Sequence, residues 1–447
     1  MNSKHSSCYP ISSYVQIKSP AWSKDATIYQ VNTRQFSPSG DFGGVTKDLA
    51  RIKAIGSDII WLMPVHEIGE KNRKGSLGSP YAVKDYYSVN PEFGSADDLK
   101  SLIKHAHSLG LKVILDWVPN HTAWDNPLVE SHPHWYARDY KGDFRPSPWW
   151  DWDDIIELDY SQSELRAYMI DALCYWVKEF DLDGFRCDVA GYVPNDFWHQ
   201  ARQALSQIKD VFMLAEWEDR DMHAQGFDMT YAWSWNEVMF GIAQGELELD
   251  KLRKYYSWNE RAWPREAYRM TFVSNHDENA WEGTPVEKFG DMLCAAIVLS
   301  VLGEGMPLIH NGQEAGESKR LAFFERDPIN WQDHFMHDFY KMLLALRKQH
   351  TALHNGEHGA RMHQVPNSNM QQIFSFVRED EYSKWFCVLN FSRHSVKTQF
   401  KEHYYADTYD GYLSSSKHQY ISEDHSFSNS AVLELEAYGY RVFVKHK

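Results

Sequence analysis

Asp183-Gly184-Phe185-Arg186-Cys187-Asp188 has the form of a short buried strand that ends in a charge. Residues two apart on a strand share a face, so Arg186 and Asp188 point the same way and Cys187 points the other. An arginine and a carboxylate on one inward face are costly to bury unless they pair or do chemistry. Two readings follow: a structural ion pair, or part of a reactive site. The segments on either side decide between them.

Before this stretch, apolar runs alternate with amphipathic ones. Strands are expected at Ala26 to Val31, Asp58 to Pro64 and Lys112 to Asp116, with helices at Val45 to Ile55 and Ala96 to Leu109 closed by Gly56 and Gly110. After it, helices are expected at Asp196 to Ile208, Trp235 to Tyr256, Asp291 to Leu302 and His337 to Gln349. Strands are expected at Val211 to Glu216, Phe227 to Tyr231, Arg269 to Val273 and Met306 to Ile309. With the helix Ser163 to Phe180, this makes eight strand–helix units, the fifth helix being poorly defined. Such alternation argues a parallel sheet, and eight units argue closure into a (β/α)8 TIM barrel. A doubly wound open sheet is the competitor, but no G-x-G-x-x-G follows the first strand, so dinucleotide binding has no support.

Two segments break the alternation. His121 to about Leu158 is a long Trp-, Pro-, Asp- and His-rich excursion with Trp124, Trp135, Trp149, Trp150 and Trp152, and loops of that length are usually functional. Beyond Gly356, short alternating runs at Gln372 to Val377, Lys384 to Asn390, Val396 to Phe400 and Ala431 to Val444 predict an antiparallel β-sandwich or partly closed β domain. The expected organisation is an N-terminal arm (1–24), a catalytic barrel (25–355) containing the 121–158 excursion, and a C-terminal β domain (356–447).

The net charge of −16 repels phosphate backbones and argues against nucleic acid as a partner. It suits a neutral substrate, and the 18 Trp and 25 Tyr supply flat faces for sugar rings. The five cysteines (Cys8, Cys174, Cys187, Cys294, Cys387) are odd in number and widely spaced with no C-x-x-C, so neither a disulfide framework nor a zinc site is expected. Cys187 reads as a packed, inert thiol. No run approaches a membrane span, and Met1 to Pro20 has no signal-peptide core. The chain as it stands reads as cytoplasmic, or as periplasmic or secreted where a leader has been removed.

In a barrel of this kind catalytic residues sit at the C-terminal strand ends. Strand three ends at Asp116 with Asn120 and His121 beyond it, strand four carries Arg186 and Asp188, strand five ends at Glu216, and strand seven leads to Asn275, His276 and Asp277. Helix caps would explain any one of these. They explain the set poorly, because each adds charge to one small mouth. Paired carboxylates, a neutral polyhydroxylated substrate and aromatic platforms together point to glycoside hydrolysis.

The segments Asp116-Trp-Val-Pro-Asn120-His121, Gly184-Phe-Arg186-Cys-Asp188, Glu216 after Val211-Phe-Met-Leu-Ala, and Asn275-His276-Asp277 resemble the four signature regions of the α-amylase family, glycoside hydrolase family 13. Ser79-Pro-Tyr81, Gly305 to Glu314 and Leu435 to Phe443 are similar to further segments of that family. The resemblance implies a retaining hydrolase of α-1,4-glucosidic bonds in starch or maltooligosaccharides. Asp188 would be the nucleophile and Glu216 the acid/base, ~5–5.5 Å apart. Asp277 would bind the hydroxyls of the sugar being cleaved, His121 and His276 would hydrogen-bond it, and Tyr81 would stack under it. Arg186 would keep Asp188 ionised, while burial and Asp277 would keep Glu216 protonated. His121 as a loop anchor and Tyr81 as a packing residue are the bland alternatives, and an α-glucosidase, a glucan-transferring enzyme or a non-catalytic sugar binder are the competing functions.

The chain departs from the family pattern in places. Gly191 and Tyr192 stand where many members carry Lys-His, of which the lysine contacts sugars past the cleaved bond and the histidine carbonyl ligates calcium. Asn120 matches another calcium ligand, but calcium takes six to eight oxygens, and the loop Ser37 to Gly43 lacks a D-x-N-x-D-G pattern. The mechanism requires no cofactor. The excursion is short for the family's domain B, which implies an open cleft suited to chain-internal cleavage.

Overall fold

The computed structural model describes residues 13–147, 150–428 and 431–447; Cys8, Trp149 and the start of the N-terminal arm lie outside them. Eight strands form a closed parallel barrel: β1 (Ile28–Val31), β2 (Ile59–Leu62), β3 (Lys112–Trp117), β4 (Gly184–Cys187), β5 (Phe212–Ala215), β6 (Met229–Tyr231), β7 (Tyr268–Thr271) and β8 (Met306–His310). Each pairs with its neighbours in sequence, and β8 closes on β1. Alternate residues feed two cores. Ile28, Trp61, Ile114, Leu214, Tyr231 and Met270 fill the barrel. Tyr29, Ile60, Leu115, Phe185, Cys187 and Met213 face the helices. Burial on both faces is why these strands read as continuous apolar runs.

Gly184 sets the place of β4. Its φ is +151°, and a Cβ there would lie 1.8 Å from the Phe212 carbonyl oxygen on β5, so only glycine permits the approach. The resulting register pairs Arg186 with Asp116 on β3 and with Leu214 on β5.

The outer layer comprises α1 (Leu49–Ile55), α2 (Ala96–Ser108), α3 (Ser163–Phe180), α4 (Asn195–Ser206), α5 (Trp233–Gln244), α6 (Asp250–Ala262), α7 (Leu293–Leu302) and α8 (Phe335–Gln349). Ser95 and Asp98 form a capping box that starts α2. The single helix expected over Trp235 to Tyr256 is two, because Gly245 adopts a left-handed conformation (φ +77°) that ends α5. Between β5 and β6 a short helix, Met222–Gln225, occupies the place of the ill-defined fifth helix. No helix among the described residues is long and apolar enough to cross a membrane.

The excursion after β3 is closed at its base by an antiparallel pair, His121–Ala123 with Ile155–Glu157, which holds His121 at the barrel mouth. C-terminal to the barrel, a six-stranded sheet includes Ile373–Glu379, Ser383–Asn390 and Tyr440–His446, all antiparallel. One face carries Ile373, Val377, Phe386, Val388 and Phe443 against the smaller strand pairs. The other, with Phe374, Trp385, Leu389 and Tyr440, packs with the barrel helices. Buried Arg378 donates to the carbonyls of Leu302 and Gly303 at the end of α7, tying the two parts together. The run Ala431 to Val444 resolves into two strands, Val432–Leu435 and Tyr440–His446.

Candidate active site

β3, β4, β5 and the segment after β7 deliver their charges to one place. Arg186 is fully buried. Its Nη1 donates to Asp116 Oδ1 at 2.8 Å and to Asp188 Oδ1 at 3.0 Å. Its Nη2 lies 2.7 Å from Glu216 Oε1, out of line for a hydrogen bond. Its Nε donates to the Tyr231 hydroxyl at 3.2 Å. The ion pair suggested by residue spacing is therefore real, but the arginine serves several carboxylates from neighbouring strands.

A second layer fixes the surrounding groups. Trp61 Nε1 and the Tyr81 hydroxyl both donate to Asp116 Oδ2, at 3.0 and 2.9 Å. The Gln30 side chain pairs twice with His276: its Oε1 accepts from the His276 backbone N–H at 3.2 Å and its Nε2 lies 2.7 Å from Nδ1. That arrangement makes Nδ1 an acceptor and leaves the proton on Nε2, which sits 2.8 Å from the Tyr81 oxygen and 3.2 Å from Asp277 Oδ2. His121 is arranged similarly, with Nδ1 3.3 Å from the Asn120 amide and Nε2 3.9 Å from Asp188 Oδ2. Burial holds both imidazoles neutral, His121 falling to about 4 and His276 well below its usual value.

Burial also pushes the carboxyls of Asp116, Asp188, Glu216 and Asp277 above the usual carboxylate range, with Arg186 opposing the shift in each. Arg186 was expected to keep Asp188 ionised; it does pull that carboxyl down, and burial works against it with the larger effect. One positive charge faces four buried carboxylates, so burial weighs against ionising all of them together. A bias does remain. Asp188 accepts an in-line hydrogen bond from Arg186, which favours its charged form, whereas the Arg186 contact with Glu216 is out of line. Glu216 Oε2 instead accepts the Val189 backbone N–H at 2.7 Å. Val189 adopts a left-handed conformation (φ +35°) to reach it, a strained state for a β-branched residue.

The cleft above these groups encloses about 560 Å³ and is walled by Tyr81, Trp150, Trp152, Trp281, Phe323 and Phe324. Tyr81 stacks on His276 with ring centroids 5.6 Å apart, and Phe323 continues the stack 6.2 Å from Tyr81. Every residue singled out in the sequence is brought to this mouth: Asp188, Glu216, Asp277, Tyr81, His121, Arg186 and His276. Cys187 faces the helices and is buried. Asp116, read from sequence as the charged end of strand three, was given no individual role there, and Gln30, Trp61, Tyr231 and the Phe323-Phe324 pair were not singled out. Their only signals are a polar residue inside the apolar run Ile28–Val31 and a paired aromatic in a loop. No group of three or more His, Cys, Asp or Glu side chains is arranged to hold a metal ion among the described residues.

A closed (β/α)8 barrel whose mouth gathers several carboxylates, one arginine and stacked aromatics has the architecture of a glycoside hydrolase. The α-amylase catalytic domain model matches residues 17–338, and the α-amylase C-terminal all-beta domain model matches residues 365–446. The chain belongs to the α-amylase family of O-glycosyl hydrolases. Among solved structures it is similar to a maltogenic α-amylase from Thermotoga neapolitana (30% identity, TM-score 0.84, covering 95% of this chain and 99% of that one). It is also similar to an α-amylase from Lactobacillus plantarum (29% identity, TM-score 0.82, 94% and 98%). An α-amylase from Haloarcula japonica is 27% identical over 390 residues, which span 83% of this chain but only 56% of that relative.

Proposed function

We propose that this chain is a retaining α-1,4-glucan hydrolase acting on starch-type glucans and maltooligosaccharides. The observation that carries the reading is the single guanidinium spanning Asp188 and Glu216 beneath an aromatic-walled cleft. In this reading an Asp188 oxygen attacks the anomeric carbon, while Glu216 gives its proton to the departing glycosidic oxygen. The β-linked glycosyl ester on Asp188 is then attacked by water, whose proton returns to Glu216. Burial supplies a proton-bearing Glu216 near neutral pH, and the in-line hydrogen bond from Arg186 favours the ionised nucleophile. Asp277 and the Nε2–H of His276 face one side of the bound sugar, with Tyr81 as the ring it lies on. The Nε2–H of His121, nearest to Asp188, faces the reacting centre.

The reading is tested by following the anomer first released from maltoheptaose by NMR, with Asp188→Asn alongside. Release of the α-anomer and a near-inactive variant are expected. Release of the β-anomer, or an unimpaired variant, overturns the reading.

A further inference from the structure

Where the barrel floor meets the C-terminal domain, arginines from separate parts of the chain converge. Arg269 lies on β7 and Arg265 in the turn before it. Arg361 precedes the strand Met362–Gln364, and Arg378 lies on Ile373–Glu379. These four line one small cavity together with Glu304, which sits in the turn between α7 and β8. Arg347, near the end of α8, donates to the carbonyl of Gly305, which lines the same cavity.

The charge at this junction is unbalanced, in a chain whose net charge is −16. Glu218 pairs with Arg269, and Glu304 Oε2 lies 3.9 Å from Arg361 Nη1. Among the described residues no carboxylate comes within 4.0 Å of Arg265, Arg347 or Arg378, and Asp25, Glu260 and Glu357 act on Arg265 and Arg347 only from further away. Arg378 is fully buried and directs its N–H groups at the carbonyls of Leu302, Gly303, His354 and Ala360. Arg347, also fully buried, does the same with Val301 and Gly305. Carbonyls satisfy such donors but bring no net charge. Burial accordingly lowers the pKa of Arg378 to about 10 and that of Arg347 to about 9. Two donors are also left over: the Nε atoms of Arg269 and Arg347 are buried with no hydrogen-bond partner among the described residues. Buried positive charge of this kind is destabilising unless a negative charge answers it.

We propose that this cavity is a binding site for one small inorganic anion, and that the anion joins the barrel floor to the C-terminal domain. The cavity encloses about 30 Å³, and a single water needs about 10–15 Å³, so one small ion fits and a sugar does not. A guanidinium is weakly hydrated and presents its N–H groups in a planar fork, which suits it to holding an anion away from bulk water. Arg269, 3% exposed, reaches the cavity from β7 with an Nε–H that has no other partner. Arg265 faces it from the turn before β7, and Arg361 and Arg378 face it from the C-terminal side. One negative charge held among them compensates both parts of the molecule at once. The site lies at the opposite end of the barrel from the carboxylate mouth, so it stands independently of the hydrolase reading.

The test compares thermal melts of the whole chain in sodium chloride and in sodium gluconate, whose anion is too large for the cavity, at equal ionic strength. Tm in chloride is expected to be higher by about 2 °C and to saturate with concentration. In Arg265→Gln and Arg361→Gln, both at partly exposed positions, that difference is expected to disappear while kcat on maltotriose is unchanged. Crystals of the wild-type protein grown in sodium bromide are expected to show an anomalous-scattering peak among Arg265, Arg269 and Arg361. Equal Tm in the two salts, a chloride gain retained in both variants, or a cavity that holds water alone in bromide overturns the proposal.

Discussion

Asp183 and Asp188 bracket the same strand and live in opposite electrostatic worlds. At the floor of the barrel, Asp183 accepts from His107 Nε2 at 2.7 Å, from the Val113 backbone N–H at 2.9 Å, and from Lys209 and Lys112 at 3.0 and 3.1 Å. Burial would raise its pKa, but these donors outweigh burial and bring it to about 2. At the mouth, Asp188 shares one arginine with Asp116 and Glu216, with Asp277 close by, and burial wins. Basic partners outnumber the acid at one end, and acids outnumber the base at the other. The floor is arranged for stability, and the mouth gathers acids against the pull of burial at a cost in stability.

The contrast is broken most sharply by paired substitutions. Asp188→Asn is expected to lower kcat on maltotriose by about 10⁴-fold or more while the fold is kept. Asp183→Ala is expected to act on stability instead, leaving Lys112, Lys209 and His107 around an empty position and costing roughly 3 kcal/mol in urea unfolding. If Asp183→Ala unfolded at the wild-type urea concentration, the floor would not carry the stability assigned to it.

The pH dependence sharpens the comparison. The mouth carboxyls have folded-state pKa values raised above their unfolded ones, so their contribution to stability is fully present below about pH 4 and is lost as pH rises through the raised values. Asp183 has the opposite sign: its contribution is present above about pH 4 and is lost as pH falls through about 2. Buried His66, His121 and His276, neutral in the fold, act with the opposite sign below about pH 6.5. The mouth is therefore read by comparison: in thermal melts between pH 5 and 8 the slope of Tm against pH should be more positive in Glu216→Gln than in the wild type. An unchanged slope would mean that the mouth is not where the protons are held.

The smallest expected effect concerns a third buried region. His66 is fully buried, neither ring nitrogen has a hydrogen-bond partner among the described residues, and Tyr86, Trp117 and Trp176 surround it with ring centroids 5.1–6.0 Å away. Burial lowers its pKa to about 3, so it is neutral. Replacing it with a ring of similar size and no polar atoms, His66→Phe, should stabilise the protein by about 1 kcal/mol with kcat retained. A destabilised variant would show that the imidazole has a partner that the contacts around it do not reveal.

The sequence alone determined the barrel and the order of its reactive strand ends. Period-two and period-3.6 patterns are local, and Asp116, Asp188, Glu216 and Asp277 each follow their own apolar run. The same locality limited what could be read. Gly245 breaks an amphipathic run that otherwise reads as one helix, because a single left-handed residue leaves the hydrophobic period almost intact. What only the tertiary structure decided are the relations between distant residues: Tyr81 with His276 across 195 positions, Trp61 with Asp116 across 55, and Trp150 with Tyr192 across 42. The sharing of Arg186 belongs to this class. A two-residue spacing predicts a pair, but the closure of the barrel brings β3 and β5 against β4, and only that closure turns the pair into one cation among four acids.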